Sequence, residues 1–217
     1  LLPRYDFRTL LGLLQDYRAT TVTLPPPVVL ELSRHPAVNE YDLSRLRHVQ
    51  WGAAPLSESV VHACRTRLGC AVKQGYALSE ASSRTHTIPG DSDSRPGSAG
   101  PPLPGIECTI VDLTTGQALP PGQTGEVCIR GPIVMKGYLN RPDATAEVID
   151  SDGWLHTGDL GYCDSDGWLY VVDRLKELIK YNAYQVAPAE LEAVLITHPA
   201  VADVAVIPCP DERAGEI

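Results

Sequence analysis

The run Gln74-Gly75-Tyr76-Ala77-Leu78-Ser79-Glu80 places a glycine, an aromatic ring, a hydroxyl and a carboxylate within seven residues. Such a set can hold a nucleotide. Gly75 lets the backbone approach closely and the Tyr76 ring can stack on a base, while Ser79 can bond a phosphate oxygen and Glu80 can hold Mg²⁺, a hard ion that takes oxygen ligands. The alternative is a strand end entering a polar loop, with Glu80 solvated. Thr157-Gly158-Asp159-Leu160 reads as a tight turn between Trp154 and Trp168. A carboxylate there is placed like those that accept both ribose hydroxyls in nucleotide sites, or it is an ordinary Asp turn. Asp173-Arg174-Leu175-Lys176-Glu177-Leu178-Ile179-Lys180 sets three cations on a strand-like segment where the periodicity changes. Charge runs are usually solvated faces, and this one is alternatively a hinge or an anion site.

The elements that must position these residues can be read from apolar spacing. Behind Asp6, a residue able to cap free N–H groups, Phe7, Leu10, Leu11, Leu14 and Tyr17 recur at helical spacing. Val22 to Leu24 is a short strand stopped by Pro25 to Pro27, and Val28 to Leu32 resumes a helix. Leu46 to Gln50 repeats the strand, Ser57 caps a helix carrying Val60, Val61, Cys64 and Leu68, and Cys70 to Lys73 is a strand again. Alternation of this kind predicts an α/β fold with a parallel sheet. Residues 79 to 105 are crowded with Gly, Pro, Ser and Asp and predict a long surface loop. Ile106 to Asp112, Gly125 to Arg130 and Trp168 to Val172 read as strands joined by turns such as Asp164-Ser165-Asp166-Gly167, hence an antiparallel sheet or small barrel. From Pro188 a helix carrying Leu191, Val194, Leu195 and His198 precedes a strand from Asp203 to Ile207. The expected divisions are 1–105 and 106–173 of one large domain, a boundary segment 174–180, and 181–217, which is too short to close a core of its own.

Composition narrows the function classes. Hydrophobic residues make up 43% of the chain and charged residues 21%, as in ordinary globular proteins. With 18 Lys and Arg against 27 Asp and Glu, the net charge of −9 repels a phosphate backbone, so nucleic acid is not an expected partner. Cys64, Cys70, Cys108, Cys128, Cys163 and Cys209 are scattered without Cys-x-x-Cys or zinc-finger spacing, which reads as reduced core cysteines in a cytoplasmic protein. No stretch approaches the roughly 18 apolar residues of a membrane span, and the first residues do not resemble a signal peptide. The chain starts at Leu1 and stops after Ile217 without a terminating signal, and is expected to be an excised fragment.

Taken together, the motifs resemble the adenylate-forming superfamily of acyl-CoA ligases, nonribosomal adenylation domains and luciferases, and most closely its 4-coumarate:CoA ligase branch. The resemblance runs from Pro3-Arg4-Tyr5-Asp6 to Gly215-Glu216. It is carried by Gly52-Ala53-Ala54-Pro55-Leu56, the Gln74 to Glu80 run, Thr124-Gly125-Glu126-Val127 with Lys136-Gly137-Tyr138-Leu139, His156-Thr157-Gly158-Asp159-Leu160, and Val172 to Lys180. It implies a reaction in two halves. A carboxylate attacks the α-phosphate of ATP to give acyl-AMP and pyrophosphate, and the thiol of coenzyme A then displaces AMP, with a small domain rotating between the halves. On that resemblance Gly52, Ala53, Ala54 and Pro55 line the adenine and acyl pocket, Gln74, Gly75 and Tyr76 contact adenine, and Ser79 holds phosphate. Glu80 ligates Mg²⁺, Asp159 and Arg174 bind ribose, Lys176 is the hinge, and Lys180 and Gln185 face the active site from the small domain, Lys180 mainly in the thioester half. The physics agrees, because negative charge developing on an adenylyl group is what Mg²⁺ and cations stabilise.

The departures from the family pattern bear on the substrate. Ala77 and Asn182-Ala183 stand where the family has Gly and Lys-Gly, Trp51 replaces a small hydroxyl residue, and Ser82-Ser83-Arg84 replaces the small apolar run that lines the aryl pocket. The acyl group is therefore open, as are protein partners. A phosphate loop would lie before Leu1 and an adenylation lysine after Ile217, so residues 1–217 alone are expected to be inactive. Two other readings stay open: an adenylation domain that loads a carrier protein, and a non-catalytic homologue that binds nucleotide.

Overall fold

The computed structural model describes residues 4–217 apart from 53–55, 91–94, 182–183, 197, 199, 202–203, 212 and 214. The Asp6 carboxylate accepts from the Thr9 N–H at 2.7 Å and caps helix α1 (Phe7–Asp16), which buries Phe7, Leu11 and Leu14. Strand β1 (Thr21–Leu24) gives way at its prolines to α2 (Pro26–Arg34), where a missing N–H costs nothing in the first turn. Strand β2 (His48–Trp51), helix α3 (Glu58–Leu68) and strand β3 (Ala71–Leu78) repeat the cycle. The three strands are parallel, with Val22 beside Val49 and Val49 beside Val72. Their apolar faces close one core with Leu11, Val29 and Leu32 from the helices. Ser57 stands at the start of α3, but it does not cap it: its hydroxyl pairs with that of Ser59 at 3.0 Å.

Residues 79–105 are not the loop that their composition suggests. A 3₁₀ turn at Ser79–Ala81 reverses the chain into β4 (Ser83–Thr87), antiparallel to β3. Thr85 and His86 on β4 are fully buried and so polar that no strand pattern shows. The two are bonded, Thr85 Oγ1 to His86 Nδ1 at 3.0 Å and Thr85 Oγ1 to the Tyr76 carbonyl at 3.3 Å, while His86 Nε2 is buried with no hydrogen-bond partner among the described residues. The following segment then ties the first sheet to the second. Leu103 N–H donates to Thr85 at 2.8 Å, Ala99 N–H to Leu169 at 2.8 Å, and Leu169 N–H to Gly100 at 3.1 Å.

The second sheet is antiparallel in the order β5 (Glu107–Val111), β6 (Gly125–Arg130), β7 (Leu155–Cys163), β8 (Leu169–Arg174), with helix α4 (Pro142–Val148) inserted before β7. The barrel expected over 106–173 is not found: among the described residues β5 and β8 do not pair with each other, so the sheet is open. Its core joins Ile110, Val127, Ile129 and Leu169 to Tyr76 from the first sheet. Residues 157–160, expected in a tight turn, lie within β7, while the turn at Asp164–Gly167 is present, closed by a 3.0 Å bond from the Gly167 N–H.

A third sheet, ordered β10-β9-β12-β11, contains β9 (Ile179–Tyr181), β10 (Tyr184–Val186), β11 (Pro210–Asp211) and β12 (Gly215–Glu216), with α5 (Pro188–Leu195) following β10. Of the strand expected over 203–207, Asp203 lies outside the described residues and 204–207 are not a strand. Leu191, Val194, Leu195 and Ile207 are exposed.

His86 makes a prediction for the fold. Its burial pushes the imidazole down from 6.5 to about 4. Between those values the unfolded chain binds a proton that the folded chain excludes, so stability must fall as pH drops. Urea unfolding at pH 7 and pH 4.5 should differ by about 2 kcal/mol more in the wild type than in His86→Gln, which has no proton to take up. Equal pH dependence in the two proteins would show that His86 does not titrate on unfolding.

Candidate nucleotide site

The side chains of β3 alternate between faces, so Tyr76 points away from the direction taken by Gly75 and Ala77. Tyr76 is buried, and its hydroxyl donates to Asp159 Oδ2. Asp159 on β7 is the register partner of Arg174 on β8, whose Nε lies 3.3 Å from Asp159 Oδ1. Burial raises the Asp159 carboxyl above the ordinary range, the Tyr76 and Arg174 contacts oppose the rise, and nearby Glu80 adds to it. The same burial, with Asp159 beside it, holds the Tyr76 phenol protonated as a donor. The result is a carboxylate held at the seam of two sheets, with an exposed guanidinium at its edge.

Residues around Asp159 fix its backbone. Glu126 Oε1 accepts from the Gly158 N–H at 3.0 Å, and Glu126 Oε2 lies 2.8 Å from His156 Nδ1. Thr157 donates its hydroxyl to the Val127 carbonyl at 2.7 Å and accepts from the Asp159 N–H at 3.1 Å. Glu126, His156 and Thr157 thus position the site, a role that the sequence left unassigned although the two motifs carrying them stand out in it. The Glu126, Cys128 and His156 ligand atoms lie within 4.8 Å of one another, a spacing a metal ion could use. Burial, reinforced by Glu126 and Asp150, pushes the Cys128 thiol up to about 12, which opposes the thiolate that a metal needs.

Glu80 is held from two sides, its carbonyl accepting from the Met135 N–H at 2.7 Å and its carboxylate from the Tyr138 hydroxyl at 2.9 Å. It is a hard oxygen ligand of the kind Mg²⁺ takes. Ser79 is exposed beside it. Gly52 follows β2 and lies against the Gly75 carbonyl, to which a side chain would come within 3.0 Å. Ala53, Ala54 and Pro55, like Asn182 and Ala183, lie outside the described residues. Gln74 lines a cavity of about 160 Å³ between Trp51, α3 and Arg95, which does not include Tyr76, Glu80 or Asp159.

Tyr76, Asp159 and Arg174 are therefore brought into one cluster, with Glu80 near it, while the lysines are not. Leu175 N–H donates to the Gly158 carbonyl at 2.8 Å, the Glu177 N–H closes a turn on Arg174 at 3.0 Å, and Lys176 stands exposed in that turn. Lys180 is exposed on β9 opposite Gln185 in register, and its N–H donates to Glu216 at 2.7 Å.

Known proteins resemble this chain in sequence and fold. Residues 1–139 match the model of the AMP-binding enzyme family, and residues 190–217 that of the AMP-binding enzyme C-terminal domain. The whole chain is 46% identical to 76% of a 4-coumarate–CoA ligase 1 from Glycine max, and 46% identical to 40% of a luciferin 4-monooxygenase from Nipponoluciola cruciata. Among solved structures, ATP-bound MatB from Rhodopseudomonas palustris matches the whole chain with a TM-score of 0.91 and 32% identity, over 42% of its own length. This chain spans about 40% of the length of the luciferin 4-monooxygenase and of several 4-coumarate–CoA ligases that it matches. On the sequence matches and the shared fold, the chain belongs to the AMP-binding enzyme family.

Proposed function

We propose that this chain carries the nucleotide-binding and hinge parts of an ATP-dependent carboxylic acid:CoA ligase. One observation carries the reading: a buried carboxylate, Asp159, gripped by Tyr76 and Arg174, with Glu80 close by. In this reading Asp159 and Arg174 take the ribose, Gly52, Gln74, Gly75 and Tyr76 surround adenine, Ser79 meets phosphate and Glu80 holds Mg²⁺. Ala53, Ala54 and Pro55 complete the adenine and acyl pocket. ATP, Mg²⁺, coenzyme A and a small carboxylic acid are its partners. The net charge of −9 supports the exclusion of nucleic acid, and six free cysteines support a cytoplasmic setting. No helix among the described residues is long and apolar enough to cross a membrane.

Residues 1–105 and 106–173 then form parts of the large domain, 174–180 the hinge, ending on Lys180, and 181–217 the start of the mobile domain, which carries Gln185. An exposed turn at Lys176, just after the last tie to Gly158, supports the hinge. Asp173 Oδ2 also accepts from the Ala189 N–H at 3.3 Å, a bond across the hinge that a rotation must break.

The test is made on the complete protein, with MgATP and aromatic or medium-chain acids. Acid-dependent pyrophosphate exchange and acyl-CoA formation are expected, and the absence of both with every acid overturns the reading. Lys176→Pro fixes φ and removes an N–H, so exchange should persist while thioester formation falls by more than about tenfold. Lys180→Ala should impair mainly the second half. Equal loss of both halves in Lys176→Pro would mean a static linker.

A further inference from the structure

The face of β3 turned away from Tyr76 carries a cation of its own. Arg84 on β4 is the register partner of Ala77. Its guanidinium fills the space that the missing side chain of Gly75 leaves, since a Cβ there would lie 3.0 Å from Arg84 Nε and 3.2 Å from Cζ. Nη1 donates to Gln50 Oε1 at 2.6 Å and to Thr87 Oγ1 at 3.4 Å, both neutral. Arg8, Arg95, Arg130, Arg141 and Arg174 each pair with a carboxylate. Arg84 pairs with none among the described residues, and its Nε and Nη2 donors have no partner there, although the side chain is half-buried. An arginine stays charged at any physiological pH, and a half-buried guanidinium with free donors is a built receptor for a carboxylate.

Its position says which carboxylate. The nucleoside-binding pair Tyr76–Asp159 occupies one face of β3, and Glu80 lies just beyond the end of the strand. The acid must present its reacting carboxylate to the α-phosphate between them, so the rest of the acid extends on the side away from the nucleoside. On that side the end of β3 nearest Glu80 offers Gly75 and an exposed Ala77, with Arg84 facing them, while Lys73, next along the same face, is buried and donates to the Pro89 and Gly90 carbonyls at 2.6 and 2.9 Å. Resting on the ligase reading above, we propose that Arg84 is a specificity-determining residue that selects acids bearing a second carboxylate on the tail, namely dicarboxylic acids.

The experiment compares terephthalate and adipate with their monomethyl esters, which keep the shape and lose the second charge, in pyrophosphate exchange by the complete protein. The wild type should favour the diacid of each pair. In Arg84→Met the ratio of kcat/KM for diacid over monoester should fall by at least about tenfold, the loss of one charge-assisted contact, and Arg84→Lys should recover part of it. A general structural role would lower both substrates together and leave the ratio in place. Exchange with the monoester reports that a variant is folded, and Arg84→Gln carries the same comparison if Arg84→Met does not fold. A ratio unchanged by loss of the charge, or a wild type that favours the monoesters, overturns the assignment while the ligase reading stands. No exchange with any of the four acids, nor with the wider panel of acids, overturns both.

Discussion

Gly100→Ala is expected to cost more than about 3 kcal/mol of folding stability, a large share of a domain's total. Gly100 has φ of +91°, where a side chain is strained, and a Cβ on it would lie 2.4 Å from the backbone carbon and oxygen of Thr87. Neither atom can move freely. Thr87 is part of β4, and Gly100 itself is bonded to Leu169 on β8, so relief must pull apart the junction of the first two sheets. Gly116 serves as the control: its φ is +67°, but nothing lies within 4 Å of its Cβ, and alanine there should cost about 1 kcal/mol. Urea unfolding followed by circular dichroism measures both. A Gly100→Ala cost no greater than that of Gly116→Ala would mean that the strand junction yields without resistance.

Asp159→Ala should weaken ATP binding to the complete protein by at least about tenfold, from the loss of charge-assisted bonds to ribose. The substitution also strips the buried Tyr76 hydroxyl of its acceptor, so some of the loss can arise from a displaced ring. Tyr76→Phe separates the two effects. It keeps the ring and frees Asp159 Oδ2, and should weaken ATP far less than Asp159→Ala. Equilibrium binding of ATP to the two variants decides, and comparable losses would assign the effect to the Tyr76–Asp159 bond rather than to ribose. Because burial raises the Asp159 carboxyl, wild-type ATP affinity should decline with acidification at a higher pH than an exposed aspartate would give.

Local sequence determined much of this protein. The parallel β-α units of the first sheet follow from apolar spacing, from prolines that stop β1 and start α2, and from the Asp6 cap, all of which act within a few residues. Strands β5, β6 and β8 were legible in alternating apolar runs, and the chemical run from Gln74 to Glu80 in its residue types alone. Tertiary structure decided what lay in no local pattern. Strand β4 hides behind Thr85 and His86, whose burial depends on a bond between them and on a carbonyl of β3. The span 157–160 looks like a turn in isolation and is a strand because β6 and β8 flank it. Asp159 becomes a buried carboxylate only when Tyr76, 83 residues earlier, meets it across the joined sheets, and Arg84 becomes a half-buried cation with no carboxylate partner among the described residues only when β4 folds back onto Gly75. Propensity and periodicity reach over a few residues, whereas desolvation, charge pairing and the space beside a glycine are set by whichever distant segments packing brings into contact.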